Sequence, residues 1–230
     1  MGGLAPATRQ RRVRASITAR DRIDLVEVVR NGEVVWSGTG PTAQAGSVFS
    51  GLVSLSVGWG QAGTTTDWDV QLEIENGTLT EVEPRLRGID IVDPLSPPPS
   101  AYAFSSWERT ATNTVRLRTR TVANPTVMTD ATQQLVLRVS GTDRTVVRAV
   151  VNGVRKAYTV GELRSGPRSG YTAGFVSPAF QFHRAVADGE RELEVDVEDV
   201  REPAGRDWYH VRVRQTNDQW AFGTPTWVKA

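Results

Sequence analysis

The sequence contains no cysteine. Disulfide staples, thiolate nucleophiles and cysteine-ligated zinc are therefore excluded together. Imidazole is almost as scarce, since His183 and His210 are the only histidines. Neither falls in an HxH, HExxH or Cys/His spacing, so a metal held by histidine would need carboxylates to complete its shell. No metal ligand set and no cofactor is expected. No run of 18 apolar residues occurs, and the basic N-terminal MGGLAPATRQRRVRAS has no apolar stretch behind it. Nothing in this chain reads as a membrane span or a visible secretion signal, and a cysteine-free β-domain leaves the compartment open. An excess of one charge is also missing. Net charge is +1 with pI near 8.1, which provides no field for nucleic acid. Finally, no segment of ten or more residues has helical period, and there is no internal repeat.

Alternation is what the sequence does contain. Trp68, Val70, Leu72 and Ile74 share one parity, with Asp69, Gln71, Glu73 and Glu75 on the other. That is a strand with one dry and one wet face. Near the end, DWYHVRVRQ sets Tyr209, Val211 and Val213 against His210, Arg212 and Arg214. Asn217-Asp218 then turns the chain into Trp220 and Phe222, and Pro225 suits a strand end. This reads as a closing hairpin carrying Trp208, Trp220 and Trp227. Asn31-Gly32, Asn76-Gly77 and Asn152-Gly153 are turn signals, because Asn-Gly tolerates positive φ at both central positions of a type I′ turn. Further strand signals fall at Tyr102 to Trp107, Val115 to Val122, Leu135 to Val139, Val146 to Val151, Phe175 to Phe182 and Leu193 to Val197. One helical turn is expected at Glu162 to Arg164.

The fold class that follows is all-β, an antiparallel β-sandwich of jelly-roll or Ig-like type, with two packed β subdomains as the alternative. Residues 1–12 read as a flexible lead and 13–230 as the sandwich. The Pro-rich stretch 93–100 is the most linker-like segment and the place for a subdivision, although a long crossover on one sandwich also accounts for it. With 39% hydrophobic residues and seven tryptophans in 230 residues, there is ample material for a core. Lys156 and Lys229 are the only lysines among 27 basic side chains. Arginine predominates, and its fork suits bidentate carboxylate contacts.

Candidate chemistry is sparse. His183 and His210 are read first as structural. The sharper reading joins one of them to Tyr209 or Tyr171 and an arginine, as base and charge clamp of an all-β polysaccharide lyase. An Arg212 or Arg214 neighbour would lower the proton affinity of His210. The acids at Glu73 and Glu75, Glu81 and Glu83, and Glu194, Asp196, Glu198 and Asp199 read as solvated strand faces, with no calcium-loop pattern and no assignable glycosidase pair. Trp59 between glycines, Trp107 beside polar residues, and Trp220 are candidate sugar-stacking platforms, whereas Trp68 is in phase with the core.

The terminal Tyr209-His-Val-Arg-Val-Arg-Gln215 and Thr224-Pro-Thr-Trp-Val228 resemble the C-terminal ending of bacterial PHP-like metallohydrolases, the group that includes carbaryl hydrolase. Ile23 to Val35, SVGWG, DWDVQLEIENGTLTEVEP and FVSPAFQFHRAV are similar to the β-rich part that follows the catalytic domain there. That domain's N-terminal HxH and further His and Asp ligands have no counterpart in this chain, so no catalytic or metal residue carries over. The resemblance implies a non-catalytic accessory sandwich that packs on a catalytic metallohydrolase domain or subunit, or helps present substrate. Two alternatives stand beside it: a carbohydrate-binding module taking a glycan on exposed tryptophans, and a free-standing polysaccharide lyase or glycoside hydrolase. No nucleic-acid or membrane partner is expected.

Overall fold

The computed structural model describes residues 2–42, 48–59, 65–86, 105–122, 132–174, 177–202 and 205–229. The Pro-rich stretch 93–100, Tyr102 and Phe175 lie outside the described residues, as does the side chain of Trp59. The chain divides into two compact units, Met1–Gln44 with Val186–Ala230, and Ala45–Ala185. Both are built from strands, as the alternation requires.

The chain opens with β1 (Gly3–Pro6), β2 (Arg11–Thr18), β3 (Ile23–Arg30) and β4 (Glu33–Thr39). The second unit follows, with β5 (Phe49–Trp59), β6 (Thr66–Glu75), β7 (Thr78–Arg85), β8 (Ser106–Ala111), β9 (Thr114–Thr121) and β10 (Gln133–Gly141). It continues through β11 (Val146–Val151), β12 (Val154–Thr159), α1 (Val160–Ser165), β13 (Arg168–Tyr171) and β14 (Ala179–Phe182). The first unit is then completed by β15 (Val186–Ala187), α2 (Asp188–Arg191), β16 (Glu192–Asp199), β17 (Arg206–Gln215), β18 (Trp220–Phe222) and β19 (Thr226–Lys229).

In the second unit one sheet runs β13-β14-β5-β10-β7 and the other β12-β11-β6-β9-β8. Every pairing along these two orders is antiparallel. On β6 the apolar parity is buried in full: Trp68, Val70, Leu72 and Ile74 are all at most 2% exposed. Register places Leu117 and Val151 on either side of Val70, and Val115 and Ala149 on either side of Leu72. The other sheet's inner face supplies Val53, Leu55, Val57, Leu135, Leu137, Val139, Phe180 and Phe182. Each such side chain contributes about 1.5–3 kcal/mol on burial. The Trp68 indole N–H donates to Thr121 Oγ1 at 2.7 Å, which removes the cost of burying it. Tyr158 and Phe182 meet edge to face at 5.3 Å. Thr159 and Glu162 form a reciprocal capping box that starts α1.

The three Asn-Gly pairs do not all do the same work. Asn31-Gly32 and Asn152-Gly153 have positive φ at both residues and close the β3-β4 and β11-β12 hairpins. At Asn76-Gly77 only Asn76 has positive φ. There the chain leaves the sheet of β6 for the sheet of β7, so the turn is a corner between layers.

In the first unit the larger sheet runs β1-β19-β17-β3-β4, with β18 also paired to β17, and a two-stranded sheet β16-β2 lies across it. Their shared core contains Ile23, Val26, Val28, Val195, Val197, Tyr209, Val213 and Val228. Residues 1–12, expected as a lead, include β1 and the start of β2. β1 pairs in parallel with β19, and Arg11 is 7% exposed. The expected closing hairpin is present in two pieces: β17 pairs with β18 at its far end and with β19 at its near end. The break at Gly223 to Pro225 is bridged by the Gly223 amide donating to the Val211 carbonyl at 2.7 Å.

Candidate functional site

Four strand ends of the first unit deliver charge to its interior. Arg11 continues the parity of Val13 and Ala15, Arg30 that of Val26 and Val28, Asp199 that of Val195 and Val197, and Asp207 that of Tyr209. All four side chains are at most 7% exposed. Arg30 forks onto Asp207 at 3.2 and 3.1 Å and reaches Asp199 at 3.2 Å, while Arg11 meets Asp207 at 2.7 Å. The Tyr209 hydroxyl accepts from Arg11 at 2.8 Å and donates to Asp199 at 2.7 Å. Arg30 also donates to the Glu202 carbonyl, and Asn31 donates to Asp207. Two cations meet two anions, so the burial leaves no net charge.

The shifts follow from this packing. Burial pushes the Asp199 carboxyl up, but the Tyr209 hydroxyl, the Arg201 amide and the Arg30 and Arg201 charges outweigh it and hold the carboxyl below its ordinary value. Burial raises the Tyr209 hydroxyl. The bond from Arg11 opposes that rise, and the bond to Asp199 adds to it. Asp199, grouped above with a solvated acidic face, is thus buried. Tyr209, a proposed member of a lyase clamp, has its hydroxyl committed on both sides.

The opposite face of the same sheet carries aromatic side chains, several of them exposed around the buried Val29. Register aligns Leu4, Trp227 and Trp208 in one row and His210, Val29 and Val34 in the next. Below them lie Phe222 beside Arg212 and Trp220 beside Arg214. Leu4 is 71%, Phe222 66%, Trp220 44% and Trp227 38% exposed. Trp208 stacks on His210 at 5.2 Å, and Trp220 lies nearly parallel to Phe222 at 6.0 Å. Arg212 and Arg214 sit 6.0 and 5.6 Å from the Trp220 ring centre. Their charges are partnered by Glu27 and Asp24 respectively. His210 is held below its ordinary proton affinity, first by burial and then by the Arg212 charge.

The five residues singled out in the sequence are dispersed. Trp220 and His210 share this face. Trp107 belongs to the second unit, on β8, whose residues are exposed throughout. Trp59 is the last residue of β5, and its side chain lies outside the described residues. His183 is also in the second unit, with Nε2 at 2.6 Å from Ser56 Oγ. That is a distance at which a base activates a nucleophile, yet Ser56 is 6% exposed in the middle of a central strand. Its hydroxyl fixes His183 rather than facing a substrate. Among the described residues no group of three or more His, Asp or Glu is placed to hold a metal ion.

Sequence reasoning missed the buried charged cluster and the exposed companions Leu4, Phe222 and Trp227. Parity carried the first signal, because each buried charge continues an apolar stripe. The arginine excess carried another: Arg12 forks onto Asp196, Arg116 onto Asp69 and Arg120 onto Asp67 across neighbouring strands. No protein-family model, no curated protein and no solved structure matches the chain.

Proposed function

We propose that this chain is an accessory β-sandwich protein that acts by protein contact, through the aromatic face of its first unit. The observation that carries the reading is the row of exposed Leu4, Trp227, Phe222 and Trp220 on one sheet face, with Arg212 and Arg214 among them. Exposed apolar side chains gathered on one face mark contact surfaces, and Trp and Arg are the side chains most enriched in binding hot spots. The terminal resemblance makes the catalytic domain of a PHP-like metallohydrolase the partner. Calorimetric titration of such a catalytic domain into the chain tests it. Binding is expected, with at least a tenfold loss for Trp220→Ala/Phe222→Ala at unchanged fold. Equal affinity of that variant and the parent overturns the face assignment.

A second reading has its own observation. Trp220 and Phe222 present nearly parallel rings flanked by two guanidinium groups, a platform on which an acidic sugar could stack. Quenching or shifting of tryptophan emission by acidic oligosaccharides, abolished in Trp220→Ala, supports this reading. An unchanged spectrum rejects it.

A further inference from the structure

We propose that the free edge of β2 captures an extended peptide strand whose outward side chains are acidic and whose inward side chains are apolar. Among the described residues β2 pairs only with β16, from Arg11 opposite Asp199 to Thr18 opposite Glu192. In such a ribbon alternate residues turn their N–H and C=O away from the partner, leaving a template for another strand. A cavity of about 520 Å³ lies along this edge. Arg11, Val13 and Ala15 from one face of β2 and Arg12 and Arg14 from the other all line it. Tyr209, Val211 and Val228 of the larger sheet line it as well, so the cavity lies between that sheet and β2. Ala5 and Pro6 of β1 and the segment at Gly223 and Thr224 form the far side.

The charge and polarity of the occupant follow from the groove. Its lining holds three arginines and no carboxylate. The Arg12 and Arg14 side chains are 51% and 66% exposed. The edge already in use shows what they bind: Asp196 of β16 pairs with both Arg12 and Arg14. Val13, Ala15 and Ile17 on the inner parity are only half-buried, so apolar side chains of an added strand would complete their cover. The complementary peptide thus has the pattern of β16 itself, Glu-Leu-Glu-Val-Asp-Val-Glu-Asp. Strand addition of this kind draws affinity from main-chain bonds and selectivity from alternate side chains. The inference does not depend on what covers the aromatic face.

The test uses the full chain and a labelled synthetic peptide, ELEVDVED with capped ends. Amide shifts on titration are expected at Arg11 to Ala15, with a lysine-for-acid version of the peptide binding at least tenfold more weakly. Arg12→Glu/Arg14→Glu, checked for fold by circular dichroism, should reverse that preference. Two peptides N-methylated on alternate amides keep the side chains but remove different donors, and one should bind at least tenfold more weakly than the other. The proposal is overturned if charge reversal leaves affinity unchanged, if the two methylated peptides bind equally, or if the shifts report displacement of β16.

Discussion

Arg30 and Asp207 are tolerated inside the first unit because each is delivered with its counter-charge by a different strand, and Tyr209 ties Arg11 to Asp199. Removing one member leaves the others uncompensated. Asp207→Asn is expected to destabilise the unit by about 3–5 kcal/mol, read as a lowered urea midpoint. Asp199 gives this cluster a pH dependence. Its carboxyl is depressed in the folded state, so its contribution is present above the ordinary carboxylate value and is lost as pH falls through the lower folded one. An acid titration should show first-unit signals melting in that range, and Tyr209→Phe, which removes a bond to the ionised form, should move the melting to higher pH. His210 obeys the same sign. Its folded value lies below the ordinary one, so its contribution is present above about pH 6.5 and disappears as pH falls through the folded value. Imidazole shifts in NMR should place its midpoint below that of a free histidine, and Arg212→Gln should raise it. The depression by an arginine neighbour was legible in the sequence, from His210 and Arg212 sharing a parity. Burial is the larger cause, and only the stacked Trp208 and the surrounding sheet supply it.

At the scale of elements, identical dipeptides are held by different forces. Gly32 and Gly153 have φ of +88° and +84°, and a Cβ at either would meet nothing within 4 Å. Gly32→Ala and Gly153→Ala should therefore each cost about 1 kcal/mol, from backbone conformation alone. At Gly77 φ is not positive, but a Cβ would come within 2.6 Å of Thr145 Cγ2. Gly77→Ala should thus be rescued in part by Thr145→Ser, whereas Gly32→Ala has no side chain to trim. Denaturant midpoints of the four variants separate the two mechanisms. Hairpin turns could be read from Asn-Gly followed by alternation. The layer-switching corner could not, because the residues that decide it, Thr145 and the ladder to β10, are remote in sequence. The position of β5 between β14 and β10, with both flanks paired, is likewise set by strands remote in sequence.

For the whole molecule, the two units differ in how they use the chain. The unit Ala45–Ala185 is continuous, and the other needs both termini. β17 pairs with β3, β18 and β19, so truncation after residue 205 removes a central strand together with Tyr209 and Asp207. The first unit is expected to lose its protected amides in that truncation. A fragment spanning 45–185 retains β5 to β14 and should keep native-like amide dispersion in NMR.

Period-two stripes and the Asn-Gly turns by themselves determined an all-β chain, antiparallel but for the β1-β19 pair that only the fold revealed. These are local properties: side chains two apart share a face whatever lies opposite. Which stripe ends carry charges into the core and which tryptophans face outward were decided only by tertiary structure. Each depends on a partner strand up to 198 residues away, as with Arg11 and Tyr209, and parity names a face without naming what covers it.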